Sequence, residues 1–132
     1  DRYEASPHGR SVREELVAIV EADVSVFREE EDFIKVLVRE ALSFRGETYG
    51  VIVQGLAPFL DAVQQILAGG QRTGAVRTDR PLWQLALLFV GNLSLLYTQY
   101  WGSAGAWPTL EELPELAASA FLDGASRPNT PD

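Results

Sequence analysis

The stretch that decides the fold runs from Gln65 to Trp101 and reads QILAGGQRTGAVRTDRPLWQLALLFVGNLSLLYTQYW. A helical segment runs into Gly69-Gly70, which predicts its end there, because glycine enters the left-handed region without a Cβ penalty. A polar turn from Gln71 to Arg77 follows, with Gly74 inside it. Thr78-Asp79-Arg80-Pro81 then opens the longest apolar helix of the chain, with Thr78 or Asp79 as its cap and Pro81 near its first turn. From Leu82 to Trp101 that helix carries two apolar stripes. Leu82, Leu85, Ala86, Phe89, Leu93 and Leu96 make one. Trp83, Leu87, Val90, Tyr97 and Trp101 make the other, with Ser94 between them. The run approaches the length of a membrane span. Gln84, Asn92, Ser94, Thr98 and Gln99 are spread through it, however, and no charged anchors bracket it, so it reads as no membrane segment. A soluble helix packed on its own domain on one side and on a partner on the other fits this pattern.

Upstream, the spacing predicts three further helical regions. Ser11-Val12-Arg13-Glu14 is a capping box, in which the Ser hydroxyl and the Glu carboxylate each take a free backbone N–H. The helix it opens places Val12, Leu16, Ile19, Val20, Val24 and Phe27 on one stripe. Glu29-Glu30-Glu31-Asp32 reads as a helix start, where negative charge suits the macrodipole, rather than as a cation site. The helix after it turns Phe33, Ile34, Leu37, Val38, Ala41 and Leu42 inward, pairs Glu31 with Lys35, and ends at Arg45-Gly46. Glu47 to Gly69 keeps a helical period through Tyr49, Ile52, Val53, Leu56, Phe59, Leu60, Val63, Ile66 and Leu67. Gly50, Gly55 and Pro58 break its regularity, which predicts a kink or a junction of two helices near Gly55.

Downstream, Gly102 to Pro108 is a loop, and Thr109-Leu110-Glu111-Glu112 is a second capping box. The short helix it opens turns Leu113, Leu116, Ala117, Ala120 and Phe121 inward and closes at Asp123-Gly124. The reading is thus all-α, a bundle of about five helices. Residues 1–10 form a polar lead-in, 11–124 the domain and 125–132 a polar tail.

Composition narrows the function. The chain has 132 residues and is 46% hydrophobic, enough for one domain with a real core. It has no Cys and one His, which argues against thiol chemistry and clustered metal ligands. His8 sits in the lead-in beside Pro7 and has no catalytic partner, so no catalytic residue, metal or cofactor is assigned and no enzyme is expected. The formal net charge is -8, which argues against direct nucleic-acid binding. The lead-in has no apolar core of a signal peptide, and a cytoplasmic protein is expected. The chain begins at Asp1 and contains no Met, as expected of a domain cut from a longer protein.

The order of features resembles the C-terminal domain of TetR/AcrR-type transcriptional regulators. Leu67, Gly70, Gly74, Val76, Arg77, Asp79, Pro81 and Leu82 carry the resemblance around the turn, and Phe121, Leu122, Asp123 and Gly124 at the end. It is clearest over residues 60–124. It implies a repressor whose C-terminal domain binds a small hydrophobic or amphipathic effector and forms a homodimer through its last two long helices, as a four-helix bundle. DNA is then bound only by a separate N-terminal helix-turn-helix segment, which this chain lacks. A stand-alone helical binding or protein-interaction module is the competing reading.

On either reading the inward aromatics are the place to seek a ligand. Tyr49, Val53 and Phe59 are candidates for one wall, Phe89, Asn92 and Leu96 for the other, and Phe33 and Leu37 for its closure. Asn92 stands out, since a buried amide needs partners and pockets use a few such groups for orientation. The same stripes serve equally well as plain core. For a dimer face the candidates are Trp83, Leu87, Val90, Ser94, Tyr97 and Trp101, with Leu113, Leu116, Ala117 and Ala120.

Overall fold

The computed structural model describes residues 10–43 and 46–125, without the side chains of residues 48, 49 and 51–53. Five helices and no strand are found among the described residues: α1 (Val12–Glu29), α2 (Glu31–Leu42), α3 (Gly46–Thr73), α4 (Leu82–Gly102) and α5 (Leu113–Asp123). The chain is an all-α bundle.

α1 starts where its capping box demands. Glu14 N–H donates to the Ser11 hydroxyl at 3.1 Å, and Ser11 N–H donates to the Glu14 carboxylate at 2.9 Å. Leu16, Ile19, Val20, Val24 and Phe27 are buried, which is the stripe expected from the sequence, with Val12 at its edge. Val63, Ile66 and Leu67 of α3 meet them, as do Leu85, Ala86, Phe89, Leu93 and Tyr97 of α4 and Leu113, Ala117 and Ala118 of α5. Arg13 closes the outer seam of α1 and α5 with a two-pronged pair to Asp123, at 2.9 and 2.8 Å.

α2 is different, for none of its residues is buried. Ile34, Leu37, Val38 and Ala41 are half-buried, while Phe33 is 62% and Leu42 45% exposed. Its start at Glu31 and Asp32 agrees with the acidic tract, but Leu42 does not turn inward. Its end comes at Ser43, whose hydroxyl donates to the Glu40 carbonyl at 2.7 Å. Arg45 lies outside the described residues, and Gly46 begins α3 rather than ending α2. Glu31 and Lys35 both engage Trp101 instead of each other. The indole N–H donates to Glu31 at 2.8 Å, and the Lys35 ammonium lies 5.7 Å from the ring centroid.

α3 passes through Gly55 and Pro58 as one helix, so of the two expected outcomes the junction of two helices does not occur there. Pro58 has no N–H for the Gln54 carbonyl, and both residues are exposed, so water can take that acceptor. It also passes through Gly69-Gly70 and stops at Thr73. The stop is Gly74, at φ +84°, the left-handed conformation that ends helices. Gly70 accepts from Ala75 and Val76 N–H at 2.8 and 3.1 Å, which closes the last turn. Arg77 grips Asp79 with two hydrogen bonds, at 2.5 and 2.6 Å, and holds that carboxyl below its ordinary value. Asp79 therefore serves the turn and does not cap α4. The N-cap is Pro81, with no side-chain cap bond. This turn fixes how α3 leads into α4.

The second capping box also forms, between Thr109 and Glu112 at 3.1 and 3.2 Å. It closes a turn, and α5 begins after it at Leu113. Ala118 and Pro114 are buried where Leu116 and Ala120 were expected; Leu116 is half-buried and Ala120 exposed.

Candidate functional site

A cavity of about 550 Å³ opens between α2 and the rest of the bundle. It is within the usual range for small-molecule sites. α2 touches the core through Ile34, and Phe33, Leu37 and Val38 line the space beside it. Leu56 and Phe59 of α3 form the adjoining wall, and Val90, Leu93, Ser94 and Tyr97 of α4 the next. The C-terminal half of α1 adds Val26 and Asp23, with Glu30 after it. Glycine at position 55 also borders the space, where no Cβ intrudes.

Asp23 and Tyr97 are the polar centre of this apolar site. The Tyr97 hydroxyl donates to Asp23 Oδ2 at 2.5 Å. Burial pushes the Asp23 carboxyl above its ordinary value of 3.8, and the hydrogen bond from Tyr97 partly offsets this. Burial, then the neighbouring carboxylate, also push the Tyr97 phenol upward, so it remains a donor. Behind Tyr97 lies an aromatic stack. Its ring is parallel to Phe27 at 4.6 Å, while Trp101 and Tyr100 meet Phe27 at 5.5 and 5.7 Å. These rings fix where the hydroxyl points.

The pH consequence has a definite sign. A carboxyl with a raised native pKa binds its proton more tightly folded than unfolded, so stability falls as pH rises from the unfolded value through the native one. Below both values there is no penalty. Asp23→Asn is therefore expected to gain on the wild type as pH rises from about 4 toward 7. Urea unfolding across that range checks it; a gap that does not grow with pH would contradict the burial of this charge.

Phe33, Leu37 and Phe59 come together on the cavity wall. The side chains of Tyr49 and Val53 lie outside the described residues, as does His8. Phe89 is fully buried and packs edge-on to Phe121 at 5.2 Å, away from the cavity. Leu96 packs on the core, and Asn92 borders a second groove beside Leu88, Phe121 and Leu122. Val90, Ser94 and Tyr97, expected on an outer face, border the cavity instead. Trp101 stacks inward on Phe27, and Leu113 and Ala117 are fully buried. Of that outer set, Trp83 and Leu87 are 57% and 48% exposed. Two large apolar side chains of α4 outside the expected set are more exposed still: Leu88 at 63% and Leu95 at 60%.

The reason is angular. Successive residues advance about 100° around a helix, so Val90 and Tyr97 lie nearer Leu93 than Leu87 does. Asp23 was also missed, though it left a signal. It falls one turn after Ile19 and one turn before Phe27, on the buried stripe itself. A carboxylate in the middle of an apolar stripe marks a site where something other than packing is asked of the residue.

Among the described residues no group of His, Asp and Glu is arranged to hold a metal ion, and no helix is long and apolar enough to cross a membrane. The chain matches no protein-family model, no curated protein and no solved structure.

Proposed function

We propose that this chain is the effector-binding and dimerisation domain of a TetR-type transcriptional regulator, acting on DNA through a separate helix-turn-helix segment. The observation that carries the reading is that α4 is apolar on opposite sides. Its inner side supplies Phe89 and Leu93 to the core and Val90 and Tyr97 to the cavity wall. Its outer side holds Leu87, Leu88 and Leu95 in the open, around exposed Gly91. Apolar side chains gathered on one helix face are a usual mark of a binding surface. Gly91 allows a second helix to approach closely there, and half-buried Leu116 with exposed Ala120 continues the surface onto α5. A second copy offering the same two helices would complete a four-helix bundle. An effector in the cavity would draw α2 onto the bundle, and that movement is the candidate signal to the DNA-binding segment.

Sedimentation equilibrium tests the assembly. The chain is expected to be a dimer at micromolar concentration, and Leu88→Glu with Leu95→Glu to weaken association by about 100-fold or more, since buried unpaired charge is costly. Circular dichroism should show the helices retained. A wild-type chain that sediments as a monomer at 100 μM, on the order of what an obligate interface never tolerates, overturns the proposal.

A further inference from the structure

Resting on that reading of the cavity as an effector site, we infer that its ligand is a lipophilic cation: a small amphipathic molecule with a protonated amine, seated on Asp23, and an apolar body lying along α2 and α3. The charge of the lining decides this. Among the described residues of the lining, Asp23 and Glu30 are the charged side chains, and both are acids. The cations of α1 and α2 are engaged elsewhere: Arg13 with Asp123, Arg28 with Glu111 at 3.1 Å, Lys35 over the Trp101 ring, and Arg39 near Glu40 at 3.8 Å. None of them borders the cavity. Among these described residues an anionic ligand would meet two carboxylates and no counter-charge. A wholly apolar ligand would strip water from Asp23 and give nothing back.

A cation resolves both difficulties. Tyr97 occupies Asp23 Oδ2 and leaves Oδ1 without a hydrogen bond among the described residues. An ammonium at Oδ1 pairs the carboxylate and restores the solvation that burial removes. Exposed Glu30 at the rim favours entry of the same charge. The remaining wall, Phe33, Leu37, Leu56 and Phe59, suits an alkyl or aryl body.

Three probes of one length separate the cases: decylamine, decanol and decanoate, titrated at pH 7 below their micellar concentrations. Decylamine is expected to bind at least about tenfold more tightly than decanol, the size of a hydrogen bond to a charged group, and decanoate most weakly. Asp23→Asn should bring decylamine down to the level of decanol while leaving decanol unchanged. A preference that survives in Asp23→Asn would be an effect of net charge alone and overturns the assignment. So does decanoate binding as tightly as decylamine. Decanol binding with no preference for the amine overturns the cation while leaving the effector site standing; binding of none of the three overturns both. A second readout needs no variant. The methylene next to the nitrogen is expected to show nuclear Overhauser contacts to the Tyr97 ring, and contacts from the terminal methyl instead would overturn the placement.

Discussion

Replacing Phe27 by Ala is expected to cost about 3 to 5 kcal/mol of folding free energy, a large share of what a domain of this size possesses. Phe27 is fully buried and is the ring on which Tyr97, Tyr100 and Trp101 are all arranged. Truncation removes its own burial, leaves a void that three large rings cannot easily collapse into, and forfeits the stacking geometry as well. The melting temperature should fall by roughly 10 to 20 °C. Phe27→Leu fills part of the void and should cost about 1 to 2 kcal/mol. The effect also reaches the cavity. Without Phe27 the Tyr97 ring is free to turn, and its hydrogen bond to Asp23 loses a fixed donor. Urea unfolding gives the stability, and the near-ultraviolet circular dichroism of the Tyr and Trp residues reports the stack. A loss below about 1 kcal/mol, the scale of a surface change, would mean that these rings do not pack as a unit.

Phe27 also marks the limit of what periodicity reveals. The α1 stripe was legible because Leu16, Ile19, Val20, Val24 and Phe27 alternate with Glu14, Glu21 and Arg28, so only one burial angle satisfies them. α4 offers no such contrast. Leu, Phe, Val, Trp and Tyr occur all the way around it, and spacing alone cannot tell an inner Tyr97 from an outer Leu95. The inner face was chosen by α3 and α5, against which α4 packs, and by Phe27 of α1, distant in sequence, on which Tyr97 stacks. α2 misled in the opposite sense. Its pattern is strongly amphipathic, yet of its apolar face only Ile34 packs on the core, while Leu37 and Val38 line a cavity and Phe33 is mostly exposed. Phe33, Leu37 and Phe59 were nonetheless found from the pattern. Asp23 is one of 19 acidic residues, so charge alone does not single it out.

Gly69→Ala and Gly70→Ala are adjacent substitutions in the same helix and are expected to move stability in opposite directions. Helix propensity favours Ala over Gly by about 1 kcal/mol at both positions. At Gly69 nothing opposes it, since an added Cβ would meet only the end of Arg72, at 3.7 Å. At Gly70 the same atom would run into Val76 and would stand 2.6 Å from a methyl group of Val12. Both are β-branched and stiff about χ1, and Val76 is buried, so Val76 in particular has no free rotamer to retreat into. Overpacking of this kind costs about 1 to 3 kcal/mol, which cancels or exceeds the propensity gain. Gly69→Ala should therefore raise the unfolding free energy by about 0.5 to 1 kcal/mol. Gly70→Ala should lower it, by up to about 2 kcal/mol, and Gly70→Val by more. Local flexibility is not what Gly70 supplies, because it lies inside α3 rather than at its end. It supplies closeness: the N-terminus of α1 and the turn before α4 both rest on its bare backbone. Pushing Val76 outward disturbs the Arg77–Asp79 clasp next to it and with it the direction in which α4 departs. Val76→Ala in the Gly70→Ala background makes room for the new methyl and should recover part of the loss, giving a favourable coupling of about 0.5 kcal/mol or more. Equal and stabilising effects at both glycines would show that Val12 and Val76 do not close over Gly70.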